Sequence, residues 1–474
     1  MTATRVRLAG GIAVLLALVL LSGLLPPAPE DRGPTELAVV VPGTGRSLLI
    51  CPSGTPDAAN TALDLGVYPV RPPEPVAGDS RMSVRQMTGG DEPELERLDV
   101  ELAARGRSAA VALEADRAGV LVDGQGAFAQ GLWATVSSKA TRGESAGLAV
   151  TSCLAARPEY VFTGLSERQG QHAQIQLVNP DQAEARVDLE LYNTDGPLPN
   201  TESRRGLSVP GGDQRTLDLD DLAAGSSVLT ARVEVTTGRV AAFAQQSAQV
   251  GETTGGSDWA SPGDIATTLV LPGVSPSAGG VQLAVATLGP DSGTATIEVV
   301  DTTGAHRPAG NETVRLSPGQ VSEVDLSDAF DGRAAAVRVT GNVELTAGLS
   351  MTAGRRLTSG DTPRPGDLAL AGAGRRLAGP VVFAGRAGPT RTAVQLTALG
   401  EDTSVVVRVR DRDGSAVSSR TVELAADTTS RVDLGTSAAG HQVVVSPADP
   451  DLVVAAATFE AAGRQPQLSV LPLG

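Results

Sequence analysis

The chain has 474 residues and a formal net charge of -16 with no acidic block, which argues against nucleic acid as a partner because phosphates demand a basic surface. Glycine (55) and proline (31) stay below the share found in low-complexity chains, so the body is expected to fold. With 6 Phe, 3 Tyr and 2 Trp, little material is left for an aromatic-lined carbohydrate groove, and Lys139, the lone lysine, serves neither a P-loop nor an S-x-x-K dyad, since position 136 is Val136.

Taken in order, the chain begins with Arg5 and Arg7 ahead of Leu8 to Leu25, an uncharged apolar run nearly long enough to span a hydrocarbon core with its positive flank on the cytoplasmic side. Residues 1–25 are therefore expected to be an uncleaved signal anchor, the alternative being a cleaved signal and a secreted body. No cysteine follows the run to accept a lipid. Residues 26–36 are proline-rich and charged and read as a stiff spacer.

Beyond the spacer the sequence repeats at a domain-sized interval of roughly 105 residues. Gln176, Gln282 and Gln395 mark it, as do Gly196, Gly304 and Gly414, and Leu219, Leu326 and Leu434. Val405, Val407 and Val409 alternate with Val406, Arg408 and Arg410, the period of two that puts one face on a core and the other in water; Ala185 to Leu191 and Ala295 to Val299 do the same. These runs end at Asp195-Gly196, Thr303-Gly304 and Asp413-Gly414, pairs that signal hairpins because glycine tolerates the positive φ of a tight turn. The expected fold is all-β: four tandem antiparallel β-sandwich modules over residues 37–158, 159–266, 267–378 and 379–474.

The first module is the divergent one, with Pro52 to Val76 read as a long surface insertion and the run Leu95, Leu98, Leu102 read as strand rather than helix. A second repeated element, VVVPG, YVFTG, LVLPG, VVFAG and SVLPL, starting at Val39, Tyr160, Leu269, Val381 and Ser469, brackets the modules. The last copy has no module after it, so it either closes the fourth sandwich or joins the chain's end to its beginning in a propeller-like ring; separate sandwiches are favoured because the unit is about twice the ~40 to 50 residues of a propeller blade. The polar, glycine-rich stretches Gly251 to Gly263 and Gly354 to Gly366 read as connections over the surface.

Cys51 and Cys153, the only cysteines, lie near the two ends of the first module and are expected to form one disulfide in an oxidising compartment. His172, His306 and His441 are scattered, no nucleophile elbow appears, and the Asp218, Asp220, Asp221 cluster belongs to a repeated Asp-Leu turn. No catalytic, metal or cofactor residue is expected. Trp133 and Trp259 each follow a Phe-Ala-Gln strand; they either cover the edge of a core or form a stacking platform for a ligand.

The anchor, the spacer and modules typified by IQLVNPDQAEARVDLELYNTDG (175–196) and RVAAFAQQS (239–247) resemble an uncharacterised family of secreted or membrane-anchored actinobacterial proteins with repeated Ig-like β modules. The resemblance covers nearly the whole chain and carries no catalytic residues over. Members are often encoded near a large envelope glycosyltransferase, which implies cell-envelope work. The expectation is a non-enzymatic, membrane-tethered extracytoplasmic scaffold whose partner is an envelope protein or glycan, the alternative being an envelope glycan-binding protein.

Overall fold

The computed structural model describes residues 45–474 apart from 56–57, 59, 70–79, 91–92, 103, 115–116, 144, 200–203, 251–252, 355–365, 387–389, 437 and 463–465. The expected anchor and spacer, and the first bracketing segment at Val39, lie outside the described residues. Among the described residues no helix is long and apolar enough to cross a membrane. The described chain is all-β, its named strands pairing antiparallel in several sheets with no closed barrel.

Alternation builds the sheets in pairs, each pair enclosing an apolar core. In residues 46–152, an outer sheet ordered Arg46–Cys51, Val120–Gln125, Arg81–Met87, Leu95–Leu98 faces an inner sheet ordered Ser108–Leu113, Asn60–Val67, Leu132–Ala140, Gly147–Ser152. Leu63, Leu65, Val84, Val120, Val122 and Val136 fill the space between them. The same plan recurs three times. The inner sheets are ordered Gln214–Asp218, Gln171–Val178, Ala241–Val250, Thr253–Ala260; then Val321–Asp325, Ala278–Ala286, the second half of Ala335–Ala353, Leu368–Gly372; and then Thr429–Gly435, Arg391–Ala398, Val453–Ala461, Gln467–Leu473. Each faces an outer sheet that begins with the strand Glu159–Leu165, Ala266–Val274 or Val381–Ala384.

The hairpin glycines sit where expected, with φ of 126° at Gly196, 125° at Gly304 and 87° at Gly414. Leu95–Leu98 is a strand. One reading is corrected. Part of the supposed insertion in the first repeat, Asn60–Val67, is a central strand of the inner sheet, because Leu63, Leu65 and Val67 alternate into the core and are fully buried. The last bracketing segment lies in Gln467–Leu473, which pairs with Val453–Ala461 and so closes the fourth sheet pair, the first of its two expected places.

Cys51 and Cys153 are bonded to each other, joining the first strand of the outer sheet to the residue that follows the inner sheet. In the chain-entropy account, closing a loop over a separation of 102 residues stabilises by roughly 4 to 5 kcal/mol. The double variant Cys51→Ser/Cys153→Ser is expected to lower the urea midpoint by an amount of that order, and native protein denatured without reductant is expected to take up no alkylating agent. Uptake of two equivalents by the unreduced protein would refute the bond.

Candidate functional site

The last strands of the four inner sheets are Gly147–Ser152, Thr253–Ala260, Leu368–Gly372 and Gln467–Leu473, of which the sequence reading found only the fourth. Each is the edge of its own sheet, and each packs against the next around a common axis: first on second, second on third, third on fourth, fourth on first. An edge strand carries unpaired backbone N–H groups, which must find acceptors when buried.

Two carboxylates on the axis supply them. Asp258 accepts from the Leu370 N–H at 3.1 Å, the Val150 N–H at 3.4 Å, the Val470 N–H at 3.5 Å and the Ser469 hydroxyl at 2.8 Å, donors that belong to the other three edge strands. Asp367 accepts from the N–H groups of Leu148 at 2.8 Å, Ser257 at 3.2 Å and Leu468 at 3.2 Å, again one per neighbouring strand. Complete burial pushes both carboxyls well above the ordinary Asp value, while the donors around them pull the other way; Asp258 adds to the rise at Asp367.

Gly256 and Gly147 make the approach possible. A Cβ at Gly256 would lie 2.2 Å from the Leu368 nitrogen and Asp367 Oδ1, and one at Gly147 would lie 2.7 Å from the Ser257 nitrogen. The segment Gly251 to Gly263 was expected to run over the surface, and its strand Thr253–Ala260 instead holds Ser257, Asp258 and Trp259 in the centre, at most 1 % exposed. Its glycine and polar content serves close packing and hydrogen bonding in place of solvation.

The edge strands also exchange side chains. In the third, Ala369 and Ala371 point into their own core while Leu368 and Leu370 enter the core of the second repeat. Leu468 and Val470 of the fourth enter the third core, and Leu148 and Val150 of the first enter the fourth. Trp259 of the second packs with Ile50, Met87 and Leu121 of the first, edge-on to Phe243. Trp133 lies at the remaining seam with Tyr68, Ala384 and Val444, between the first repeat and the fourth. Both tryptophans are buried, 8 % and 1 % exposed, and neither indole N–H has a partner among the described residues. The structure separates them into two seams and does not gather them into one surface.

The repeated glutamines are seam residues too. Gln176 accepts from the Ser53 hydroxyl of the preceding repeat at 3.1 Å, and Gln395 donates to the Val274 carbonyl of its predecessor at 3.0 Å. Asp64 stands at the matching place in the first repeat, its carboxyl raised by burial and drawn down by Arg386 of the fourth. Gln282 instead lines a cavity of about 270 Å³ between the second and third repeats, bordered by the Arg168–Glu323 pair at 2.8 Å. A larger cavity of about 330 Å³ opens where the four edge strands end. Asp325 and Asp433 turn the chain through their carboxylates, accepting from the Ser327 and Gly435 N–H groups. No group of three His, Cys, Asp or Glu residues is placed to hold a metal ion among the described residues.

Paired antiparallel sheets, repeated four times and fastened at one axis by buried carboxylates, define a modular all-β protein whose centre is a structural joint. The chain belongs to a family of unknown function, DUF5719, whose model matches residues 103–435. No curated protein matches the chain.

Two predictions follow from the buried acids. Replacing Asp258 by Ala leaves the Leu370 and Val470 N–H groups and the Ser469 hydroxyl without this acceptor, while the Val150 N–H keeps the Ser469 oxygen at 3.1 Å; at roughly 1 kcal/mol or more for each of the three the loss is expected to be on the order of 3 kcal/mol, read as a lower urea midpoint; Gly147→Ala is expected to destabilise as well, by clash alone. The second concerns pH. Burial raises the Glu167 carboxyl to about 7, with Asp218 and Asp220 adding to the rise and the Ala173 N–H opposing it. A carboxyl raised in the folded state favours folding below its ordinary value of 4.5, and that advantage is lost as pH climbs through about 7. The Arg239 partner lowers Asp181, whose contribution is lost as pH falls below 3.8. Melting temperature is therefore expected to peak near pH 4 to 5, and Glu167→Gln to flatten the fall toward pH 8 in a melting series.

Proposed function

We propose that the chain is a non-catalytic, membrane-tethered extracytoplasmic scaffold of the bacterial envelope, built from four Ig-like sandwich modules and held by Leu8 to Leu25, with an envelope protein or glycan as partner. The observation that carries this reading is the Cys51–Cys153 bond, because a lone structural disulfide is characteristic of proteins that mature in an oxidising compartment. The axial joint supports it: four sheet pairs locked at the centre turn their outer sheets away from it as a rigid display. Asp258 and Asp367, both buried, are enclosed by hydrogen-bond donors of the edge strands and out of reach of a substrate. Burial of Trp133 and Trp259 favours the scaffold over the glycan-binding alternative, which needs exposed ring faces.

Cysteine introduced at the exposed Val417 tests both address and tether. In intact cells the variant is expected to react with a membrane-impermeant maleimide and to stay with the membranes after a high-salt wash. Labelling only after lysis would overturn the extracytoplasmic placement; labelled protein free in the medium would overturn the tether and favour a cleaved signal.

A further inference from the structure

The geometry points to the axial cavity as a binding site for a small amphiphile, an anionic carboxylate or phosphate headgroup carried on an apolar stem, with Arg157 as the residue that receives the charge. The cavity, about 330 Å³, lies where all four edge strands end: Ser152, Pro262, Ala373 and Leu473 border it from the four repeats. Its size is at the lower end of the range of ligand sites. Its lining combines apolar residues, Trp133, Leu471 and Val381 among them, with two arginines, Arg157 and Arg375.

Arg157 is held in place from its backbone, not its side chain. The Tyr160 hydroxyl accepts the Arg157 N–H at 2.7 Å and donates to the Val240 carbonyl at 3.0 Å, so the loop after the disulfide is fixed against the second repeat. The Arg157 guanidinium itself makes no hydrogen bond or ion pair within the described residues, although Asp and Glu outnumber Lys and Arg by 54 to 38 in the chain. Asp264, whose charge reaches it, is already engaged by Arg375 through two bonds of 3.1 and 2.7 Å. Burial and the neighbouring Arg375 both weaken the hold of Arg157 on its proton, a cost that a bound anion relieves. A half-buried, unpaired guanidinium beside an apolar wall selects a ligand with both characters, since its planar donor set fits a carboxylate or phosphate through paired bonds.

Calorimetric titration of the full chain with octanoate, octyl phosphate, octanol, octylammonium and inorganic phosphate tests this. Saturable binding of octanoate or octyl phosphate at least tenfold tighter than octanol or octylammonium is expected, and the tighter of the two identifies the headgroup. Arg157→Gln is expected to reduce that affinity at least tenfold with an unchanged melting temperature, and Arg157→Lys to fall between the two, since it keeps the charge and loses the paired bonds. The assignment is overturned if octanol binds as well as the anions, if none of the probes saturates, or if Arg157→Gln binds as the native protein does. Inorganic phosphate binding as tightly as octyl phosphate would remove the apolar wall from the site. The comparison of octanoate with octanol and octylammonium uses native protein alone, so it decides the matter even if the variant fails to fold.

Discussion

Four sheet edges cannot meet in a dry centre unless something accepts the hydrogen bonds they leave open, and the rest of this architecture depends on how that need is met. A second layer of strand pairing would have closed a barrel. Instead Asp258 and Asp367 each reach the three neighbouring strands from one position, so two side chains do the work of a ladder. The arrangement leaves no room at the backbone, which is why Gly147 and Gly256 stand beside the carboxylates. Burying an acid is costly unless donors surround it, and here the donors are the groups that would otherwise be orphaned; each solves the other's desolvation problem.

The exchange of side chains around the axis makes the joint cooperative. Leu368 and Leu370 complete a core that their own repeat does not own, as do Leu468 and Val470, and Leu148 and Val150. The seams then add polar contacts whose partners lie one repeat away: Gln176 with Ser53, Gln395 with Val274, Gln442 with the Gly106 carbonyl at 2.9 Å. Arg338 spans the seam between the third and fourth repeats, bonding Glu298 at 2.8 Å and Asp427 at 2.6 Å. Separate sandwiches and a ring, set against each other by repeat length, coexist in the structure: each sheet pair has its own core, and the innermost strands meet in turn around one centre.

What the sequence makes legible is the local part. Alternation at Val405 to Val409, the Asp-Gly and Thr-Gly turns, and the two cysteines each carry their information within a few residues or by elimination, and all three appear in the structure. The joint is illegible because its signals are inverted. Gly255 to Trp259 reads as solvated loop, since glycine, serine and aspartate usually mark exposure, and only the identity of the partners 108 or more residues away turns it into a buried strand. The glutamine markers were visible as a period, but a repeated polar residue inside an apolar strand points to a neighbour outside the unit, and nothing local names that neighbour. A usable signal did exist: Asp258 and Asp367 each sit beside an apolar run, Trp259-Ala260 and Leu368 to Leu370, an acid where alternation predicts core.

The sense of the side-chain handover also runs against the direction in which the chain is made. The second core waits for Leu368 and Leu370 from the third repeat, and the third waits for Leu468 and Val470 near the end of the chain, whereas the fourth finds Leu148 and Val150 already synthesised. A nascent chain therefore carries an open apolar core one repeat behind its growing end at every stage, and seals the last two almost together. Losing the strand Gln467–Leu473 would strip the fourth sheet of its edge and unroof the third core in the same event, so a truncation ahead of Gln467 would damage about half of the ring while sparing every residue of the third repeat.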